Sequence, residues 1–545
     1  MLHPSALGTL YDTLQKTVAR FGERPAYAVP PMANRRYHPG GIAFTWAQTA
    51  AEVERRRSWY AQAGYGRGHR VAILFEQRPE FIFHHFALNA LGVSVLPVNA
   101  DHQPDEIAYA LGHSSASLAL AIPSRMDDMR EAVRSLASPP TLGIFDDLSA
   151  PAPPPRGKRR DEAPGPQTEA VVLYTSGTTG RPKGCLLTNE YFHNFGASFI
   201  TRGGPLALRE GLERLYNPLP LHHANALSIS LPALLLTGNC MVFPDRFHAS
   251  TWWEDIMTCE ITAVQFQGVI PNILLKLPPD PRERQHAIRF ALCAGIEPSW
   301  HATFEERYGF PLIEMWAMTE TGRIIAAHDE PRMIGTHAIG RAYPGFDARV
   351  VDAQDRDVPD GIPGRFLIRD SAAAPRHGFF AGYLDDEAAT EDAWRGGWFH
   401  TGDIVTRGET GMLSFVERAK NIIRRAGENI AAAEVEACLV AHAALKQVAV
   451  IAVPDELREE EVMACVVVRD PATANETLAH DLVRWCCDRL ASFKAPGWVI
   501  FVDHLPTTSS QKVHKIHIFP AGTDPRTLPG ARDLRELKGR TKVQR

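Results

Sequence analysis

Eight cysteines in 545 residues are too few and too scattered for a disulfide scaffold, and no pair has the CxxC spacing of a zinc or thioredoxin-like site. The adjacent Cys486 and Cys487 fall in a helical pattern and read as core and near-core thiols. Long apolar runs are also missing. Nowhere do about eighteen uncharged apolar residues follow one another, so no integral membrane segment is expected. The first thirty residues contain nothing like a signal-peptide core, which makes the cytoplasm the expected address. Nor is there an excess of cations. Lys+Arg 58 against Asp+Glu 63 gives a net charge of −5, which argues against a dedicated nucleic-acid binder, whose phosphate-binding face would push the total basic. The remaining composition, 45% hydrophobic and 22% charged, is that of a globular protein, and at about 150 residues per domain the length predicts two to four packed units.

After an amphipathic opening helix, residues 70–146 alternate short apolar runs (RVAILF, VSVLPVN, ASLALAI, TLGIFD) with helical ones (FIFHHFALNALG, PDEIAYALGHSS, MDDMREAVRSLA). That alternation predicts βαβ crossovers and a parallel sheet covered on both faces. Residues 149–168 are rich in proline and charge, without periodicity, and read as a surface loop. A second alternating block runs from VVLYTSGTTG through NCMVFPD, TAVQFQG and IRFALCAG to FPLIEMWAMTETG. Between residues 348 and 415 short strands with frequent Gly and Asp turns predict a β-rich part. Beyond Arg418 the order helix, strand, strand, helix, strand predicts a small α+β domain. The fold class expected is therefore α/β: a large amino-terminal domain, 1–417, of two doubly wound, mostly parallel sheets plus a β-rich subdomain, followed by a small α+β carboxyl-terminal domain, 418–545.

The most informative segment is VVLYTSGTTGRPKGCLLTNEYF, from Val171 to Phe192. An apolar strand ends in a loop that holds Thr175, Ser176, Gly177, Thr178, Thr179 and Gly180, followed by Pro182, Lys183 and a helical run. Glycines let the backbone approach an anion closely, successive N–H groups form a concave donor surface, and the hydroxyls add donors to phosphate oxygens. A nucleoside triphosphate suits such a loop. The Walker spacing fails, because Pro182 stands where the second glycine of that motif would be.

YTSGTTGRPKG resembles the phosphate loop of the adenylate-forming superfamily, which comprises acyl-CoA synthetases, adenylation domains of nonribosomal peptide synthetases, and luciferases. Further signatures follow in the superfamily's order over nearly the whole chain. MWAMTETG resembles its YGMTETG motif; this implies that Trp316 stacks on adenine beside Ala317, that Thr319 neighbours the phosphates, and that Glu320 binds Mg²⁺. An indole offers a wide π-face for a base, and a hard carboxylate suits Mg²⁺. The resemblance places Gly295 and Ile296, in ALCAGIEP, along the adenine and acyl group, with Glu297 a charge that must be solvated or paired. GWFHTGD implies that Asp403 accepts from the ribose hydroxyls, two acceptor oxygens for a vicinal diol. ERAKNIIRRAGENIAAAEVE implies Arg418 as the second ribose contact and Asn421, in the place of a common Asp, as the hinge of a mobile carboxyl-terminal domain.

In the same segment Arg424 and Arg425 read as a solvated basic face, with the phosphates of coenzyme A as an alternative use for both and Arg425 as the thiol-tunnel candidate, while Gly427 and Glu428 belong to the loop that the resemblance brings to the thiol tunnel. LPTTSSQKVHK resembles LPxTxxGKxxK and implies Lys512 as the catalytic lysine, an ammonium between the attacking carboxylate and the α-phosphate. Gln511 replaces the family's glycine there. PLHHANAL resembles PLFH and places His223 between the acyl site and the thiol tunnel, as a gate or as a general base; a metal reading of His222 and His223 lacks a third ligand by spacing. Candidate residues of the acyl pocket are His223, Asn225, Gln267, Gly295, Ala317 and Arg323, with Asn225, Gln265, Gln267 and Arg323 as its possible polar contacts.

The function so implied is an ATP-dependent carboxylic acid–CoA ligase acting through an acyl-adenylate, with ATP, Mg²⁺ and coenzyme A, and with Lys512, Glu320, Thr175 and His223 as its catalytic group. FVERAKNIIRRAGENIAAAEVE and PDELREEE look most like the crotonobetaine/carnitine-CoA ligase branch. Two alternatives stay open at this point: a stand-alone adenylation enzyme that loads a separate carrier protein, and a non-catalytic nucleotide-binding homologue. The partner expected is a small-molecule carboxylate, with no nucleic acid.

Overall fold

The computed structural model describes residues 7–175, 182–418, 421–425, 428–455, 458–490, 492–507, 513–520 and 522–539. The chain divides into two compact units. The first comprises residues 1–348, 368–399 and 411–413; the second comprises 349–367, 400–410 and 414–545.

Two sheets dominate the first unit. In the seven-stranded sheet, Arg70–Leu74, Ser94–Val98, Leu118–Ala121, Thr141–Ile144 and Glu169–Thr175 run parallel, and Lys183–Thr188 and Gly382–Tyr383 add antiparallel strands at one edge. The crossover helices begin where chain chemistry allows. Pro79 and Pro104 each stand at the first helical position, where a missing N–H leaves nothing unsatisfied. The opening helix Leu10–Phe21 starts on a reciprocal cap between Thr9 and Asp12.

The eight-stranded sheet has a parallel centre made by Arg214–Tyr216, Cys240–Val242, Ala263–Gln267, Phe290–Ala294 and Leu312–Trp316. Its core packs Trp252, Phe304 and Tyr308 against Phe266 and the other buried residues of the strands. The alternation of strands and helices is as expected, but the sheets do not follow the two sequence blocks. Glu169–Thr175, which opens the second block, pairs with Ser94–Val98 in the first sheet. Pro25–Val29, near the amino terminus, pairs with Cys240–Val242 in the second. Between residues 338 and 418 lies a five-stranded sheet, as the Gly- and Asp-punctuated pattern predicts.

In the second unit the helices Ala432–Val440 and Glu476–Cys487 cover a sheet built mainly by the long hairpin Leu445–Asp455 and Glu459–Val468 with Trp498–Phe501. The antiparallel pair Ile422–Arg425 and Glu428–Ala431 adds an unpredicted edge to it. Cys486 is buried and Cys487 half-buried, and all eight cysteines are free thiols. No helix among the described residues is long and apolar enough to cross a membrane.

Candidate functional site

In open parallel sheets ligands collect outside the carboxyl ends of the strands. The strands Arg214–Tyr216, Ala263–Gln267, Phe290–Ala294 and Leu312–Trp316 all deliver sequence-predicted residues at that edge. Gln267 and Gly295 follow neighbouring strand ends, with Gln267 paired to Ala294. A Cβ on Gly268 would lie 1.8 Å from the Gly295 carbonyl oxygen, so the two turns touch backbone to backbone and only glycine fits.

The loop after Phe290–Ala294 is fixed by a residue the motifs did not flag. Glu314 lies buried on the adjacent strand, and its two carboxylate oxygens accept from the Gly295 N–H at 2.8 Å and the Ile296 N–H at 2.6 Å. A carboxylate answering two backbone donors is a strong, directional clamp. Glu297, the next charge in that loop, is exposed and solvated. Trp316 ends its strand buried, with its ring edge-on to Phe346 at 6.2 Å. Ala317 and Thr319 follow, half-buried. Gly322 then turns with φ +61°, and a Cβ there would meet the Gly378 carbonyl oxygen at 1.9 Å.

Lys183 and Glu320, 137 positions apart in the numbering, meet through Tyr383. The Tyr383 hydroxyl donates to Glu320 Oε1 at 3.0 Å, and the Lys183 ammonium lies 4.7 Å from the centre of the Tyr383 ring and 3.6 Å from Asp386. Burial, then the negative charge of Glu320, pushes the Tyr383 phenol far up, so it stays a proton donor. The helical run expected straight after Lys183 is a correction. Lys183–Thr188 is a strand, antiparallel to Glu169–Thr175 with Thr175 opposite Lys183, and the helix Asn189–Ile200 begins only after it. Thr175 is half-buried at the end of its strand, 3.9 Å from the Cys185 sulfur. Ser176, Gly177, Thr178, Thr179 and Gly180 lie outside the described residues.

His222 and His223 sit side by side, ring centres 4.4 Å apart, on a loop held by Gln77. The Gln77 amide accepts from the Leu221 N–H at 2.8 Å and donates to the carbonyls of Leu219 and Pro244. Burial, with help from nearby His102, lowers the His223 imidazole to about 4, and burial with both neighbours drives His222 well below its ordinary range. Both rings are neutral at physiological pH. Among the described residues no group of three or more His, Cys, Asp or Glu is placed to hold a metal ion.

Two cations of the candidate set are paired with carboxylates. Arg323 is buried at 1% exposure, where its guanidinium donates to the carbonyls of Gly345 and His377, pairs with Asp370 at 3.2 Å and lies over Phe379. It braces the chain around Gly345 and His377, while its buried Nε has no hydrogen-bond partner among the described residues. Arg425 is not on a solvated face, its side chain being 11% exposed. Its Nε donates at 2.8 Å to the fully buried Glu461, which also pairs with Lys538 at 2.5 Å.

In the second unit Asp403 is fully buried, and its N–H donates to Thr401 Oγ1 at 3.0 Å, while Thr401 in turn donates to the Phe366 carbonyl. The Asn421 amide donates to Glu417 at 3.2 Å. The side chains of Arg418 and Glu428, together with Gly427, Gln511 and Lys512, lie outside the described residues.

The AMP-binding enzyme family matches residues 14–384, and the AMP-binding enzyme C-terminal domain matches residues 434–512. The chain belongs to the AMP-binding enzyme family. It is similar to the sulfoacetate–CoA ligase of Cupriavidus necator, 30% identical over 94% of this chain and 98% of that one. A crotonobetaine/carnitine–CoA ligase of Proteus mirabilis is 30% identical over 87% and 93%. Among solved structures, ATP-bound MatB from Rhodopseudomonas palustris superposes with a TM-score of 0.78 at 24% identity, covering 94% of this chain and 98% of that one, a likeness of fold. The mixed α/β architecture with parallel-rich sheets is thereby that of this family.

Proposed function

We propose that the chain is an ATP-dependent carboxylic acid–CoA ligase, which converts an acid, ATP and CoA to acyl-CoA, AMP and pyrophosphate. The observation that carries it is the Lys183–Tyr383–Glu320 cluster, a cation for phosphate and a hard carboxylate held together where the motifs expect the triphosphate. End-to-end similarity to CoA ligases supports the choice of thiol.

In the first half-reaction an oxygen of the acid attacks the α-phosphorus, and the bond to the β-phosphate breaks, releasing pyrophosphate. In the second the CoA sulfur attacks the acyl carbon, its proton is lost to solvent or base, and the carbon–oxygen bond to AMP breaks. Mg²⁺ fits Glu320 as an oxygen ligand. With a single protein carboxylate the rest of its shell would come from nucleotide phosphates and water, and when bound it would neutralise charge on the departing pyrophosphate. Lys183 with the Thr175–Gly180 loop holds the phosphates. Thr319 adds a donor, Trp316, Gly295 and Ile296 enclose adenine, and Asp403 with Arg418 takes the ribose hydroxyls. Lys512 bridges carboxylate and α-phosphate.

Asn421 is the hinge of a mobile domain, 418–545, whose Gly427 and Glu428 loop serves the thiol step. His223, Asn225, Gln267 and Ala317 flank the acyl group. The cytoplasm supplies both ATP and CoA, which is why we place the enzyme there. The test is a panel of carboxylic acids with ATP and Mg²⁺, with and without CoA. AMP and acyl-CoA appearing together support the ligase; acid-dependent pyrophosphate exchange without CoA turnover points to a carrier-loading enzyme, and nucleotide binding without turnover to a non-catalytic homologue.

A further inference from the structure

Asn225 opens a buried turn of π-helix, Asn225–Ser230, immediately after the two histidines. Such turns cost backbone geometry and recur at functional sites. This one is held by four polar side chains, Asn217, Asn225, Ser230 and Gln265, all 8% exposed or less. Asn217 follows the end of Arg214–Tyr216, and Gln265 lies on the neighbouring parallel strand, so the group sits at the carboxyl edge where the site residues gather.

The hydrogen bonds among the four have only one consistent polarity, set by a backbone group. Asn217 Oδ1 accepts from the Leu219 N–H at 2.9 Å, which fixes the Asn217 amide with its NH₂ toward its neighbours. That NH₂ donates to Ser230 Oγ at 2.8 Å and to Asn225 Oδ1 at 3.2 Å. The Ser230 hydroxyl, already an acceptor, donates to Gln265 Oε1 at 2.7 Å. Gln265 must then present its NH₂ to Asn225, and it donates to Asn225 Oδ1 at 2.8 Å. The carbonyl end of Asn225 is thus occupied twice. Its NH₂ end has no hydrogen-bond partner among the described residues and is not among the atoms sealed from solvent. An amide oriented this way is a fixed donor with no acceptor to offer.

We propose that the acid taken by this site carries, away from its reacting carboxylate, a hydrogen-bond acceptor such as a second carboxylate, a sulfonate or a ketone oxygen, received by the Asn225 NH₂. This rests on the ligase reading and names the substrate class for it. Asn225 is then a specificity-determining residue, and Gln265 and Asn217 are positioning residues that act through it. An alkyl acid leaves the donor unpaired in a desolvated place, and a tail bearing a cation or an N–H meets a donor with a donor.

The experiment compares matched acids of equal length whose tails end in an acceptor, an alkyl group or a quaternary ammonium. Both kcat/KM for AMP formation and direct calorimetric binding are measured. The acceptor acid is expected to lead by at least about tenfold, the worth of one hydrogen bond in a dry site. Asn225→Leu should erase the lead. Gln265→Glu removes the NH₂ that holds Asn225 Oδ1; the Asn225 amide can then turn its NH₂ to the new carboxylate, so the preference should swing toward the ammonium acid with Asn225 itself intact. A lead for the alkyl or ammonium acid in the wild type, by rate or by binding, overturns the proposal. Absence of AMP from every acid, with the acceptor acid still binding best, overturns the ligase reading and leaves the assignment of the donor standing.

Discussion

The Tyr383 hydroxyl donates to Glu320 Oε1 at 3.0 Å while its ring lies 4.7 Å from the Lys183 ammonium, so one side chain holds in fixed relation the cation we propose for phosphate and the carboxylate we propose for Mg²⁺. Tyr383→Phe keeps the ring and removes only the donor. A hydrogen bond to a charged group is worth about 1.5–3 kcal/mol, so kcat/KM for ATP should fall roughly tenfold to a hundredfold, with a raised requirement for Mg²⁺. Pyrophosphate exchange measured across Mg²⁺ concentrations checks this. An unchanged Mg²⁺ dependence would remove Tyr383 from the account.

Glu314 makes a second prediction, because its carboxylate answers both the Gly295 and Ile296 N–H groups. Glu314→Gln puts an NH₂ against one of those donors and should loosen the loop at a cost of about 1–3 kcal/mol, read as a higher KM for ATP with a smaller change in kcat. Gly268→Ala strikes the same loop from the other side, since its Cβ would lie 1.8 Å from the Gly295 carbonyl oxygen. Both variants should lower the melting temperature, and bound AMP should restore part of the loss.

A third prediction concerns pH. Burial and His102 hold the His223 imidazole at about 4, below its ordinary 6.5, so its charge changes well below the working range. It is neutral above that value in the folded enzyme. Between about pH 5.5 and 8, a range lying wholly above the lowered value of about 4, the rate of adenylate formation should therefore carry no inflection from His223. An inflection near pH 6.5 that disappears in His223→Gln would contradict the neutral gate and favour an ionising base.

Lys512→Ala separates the two half-reactions. If the lysine stabilises the α-phosphate transition state, adenylate formation should fall by about a hundredfold or more, as for loss of an oxyanion donor, while thioester formation from a supplied acyl-adenylate changes little. Equal losses in both halves would remove the assignment of Lys512 to the first step.

Local elements were legible because their signals are local. Pro79–Ala90 and Pro104–Ser114 announce themselves by proline at the first turn and an apolar run behind it. Sheet membership was not legible. Nothing in VVLYT tells that its partner is Ser94–Val98, nor in PAYAV that it pairs with Cys240–Val242, because an apolar run specifies burial on both faces and not a neighbour. At the site the motifs, through their resemblance to a family, proposed residues for the nucleotide, because a motif is a local string that can be read without the fold. They missed Tyr383, Glu314 and Gln77, each a single polar residue whose role exists only once the fold brings a partner to it. They also gave no sign of the ion pairs of Arg323 and Arg425. A cation in sequence looks available, and only the fold shows its pairing with Asp370 or Glu461.

The central claim is that the acid's own oxygen attacks the α-phosphorus and the thiol then displaces AMP at carbon. Incubating the full-length enzyme with ATP, Mg²⁺, CoA and a turned-over acid labelled with ¹⁸O in its carboxylate tests it most directly by mass spectrometry. The account predicts one ¹⁸O in the phosphate of each AMP formed, with the other retained in the acyl-CoA carbonyl. Acyl-CoA accompanied by ADP and labelled inorganic phosphate, or by AMP free of label, would contradict it.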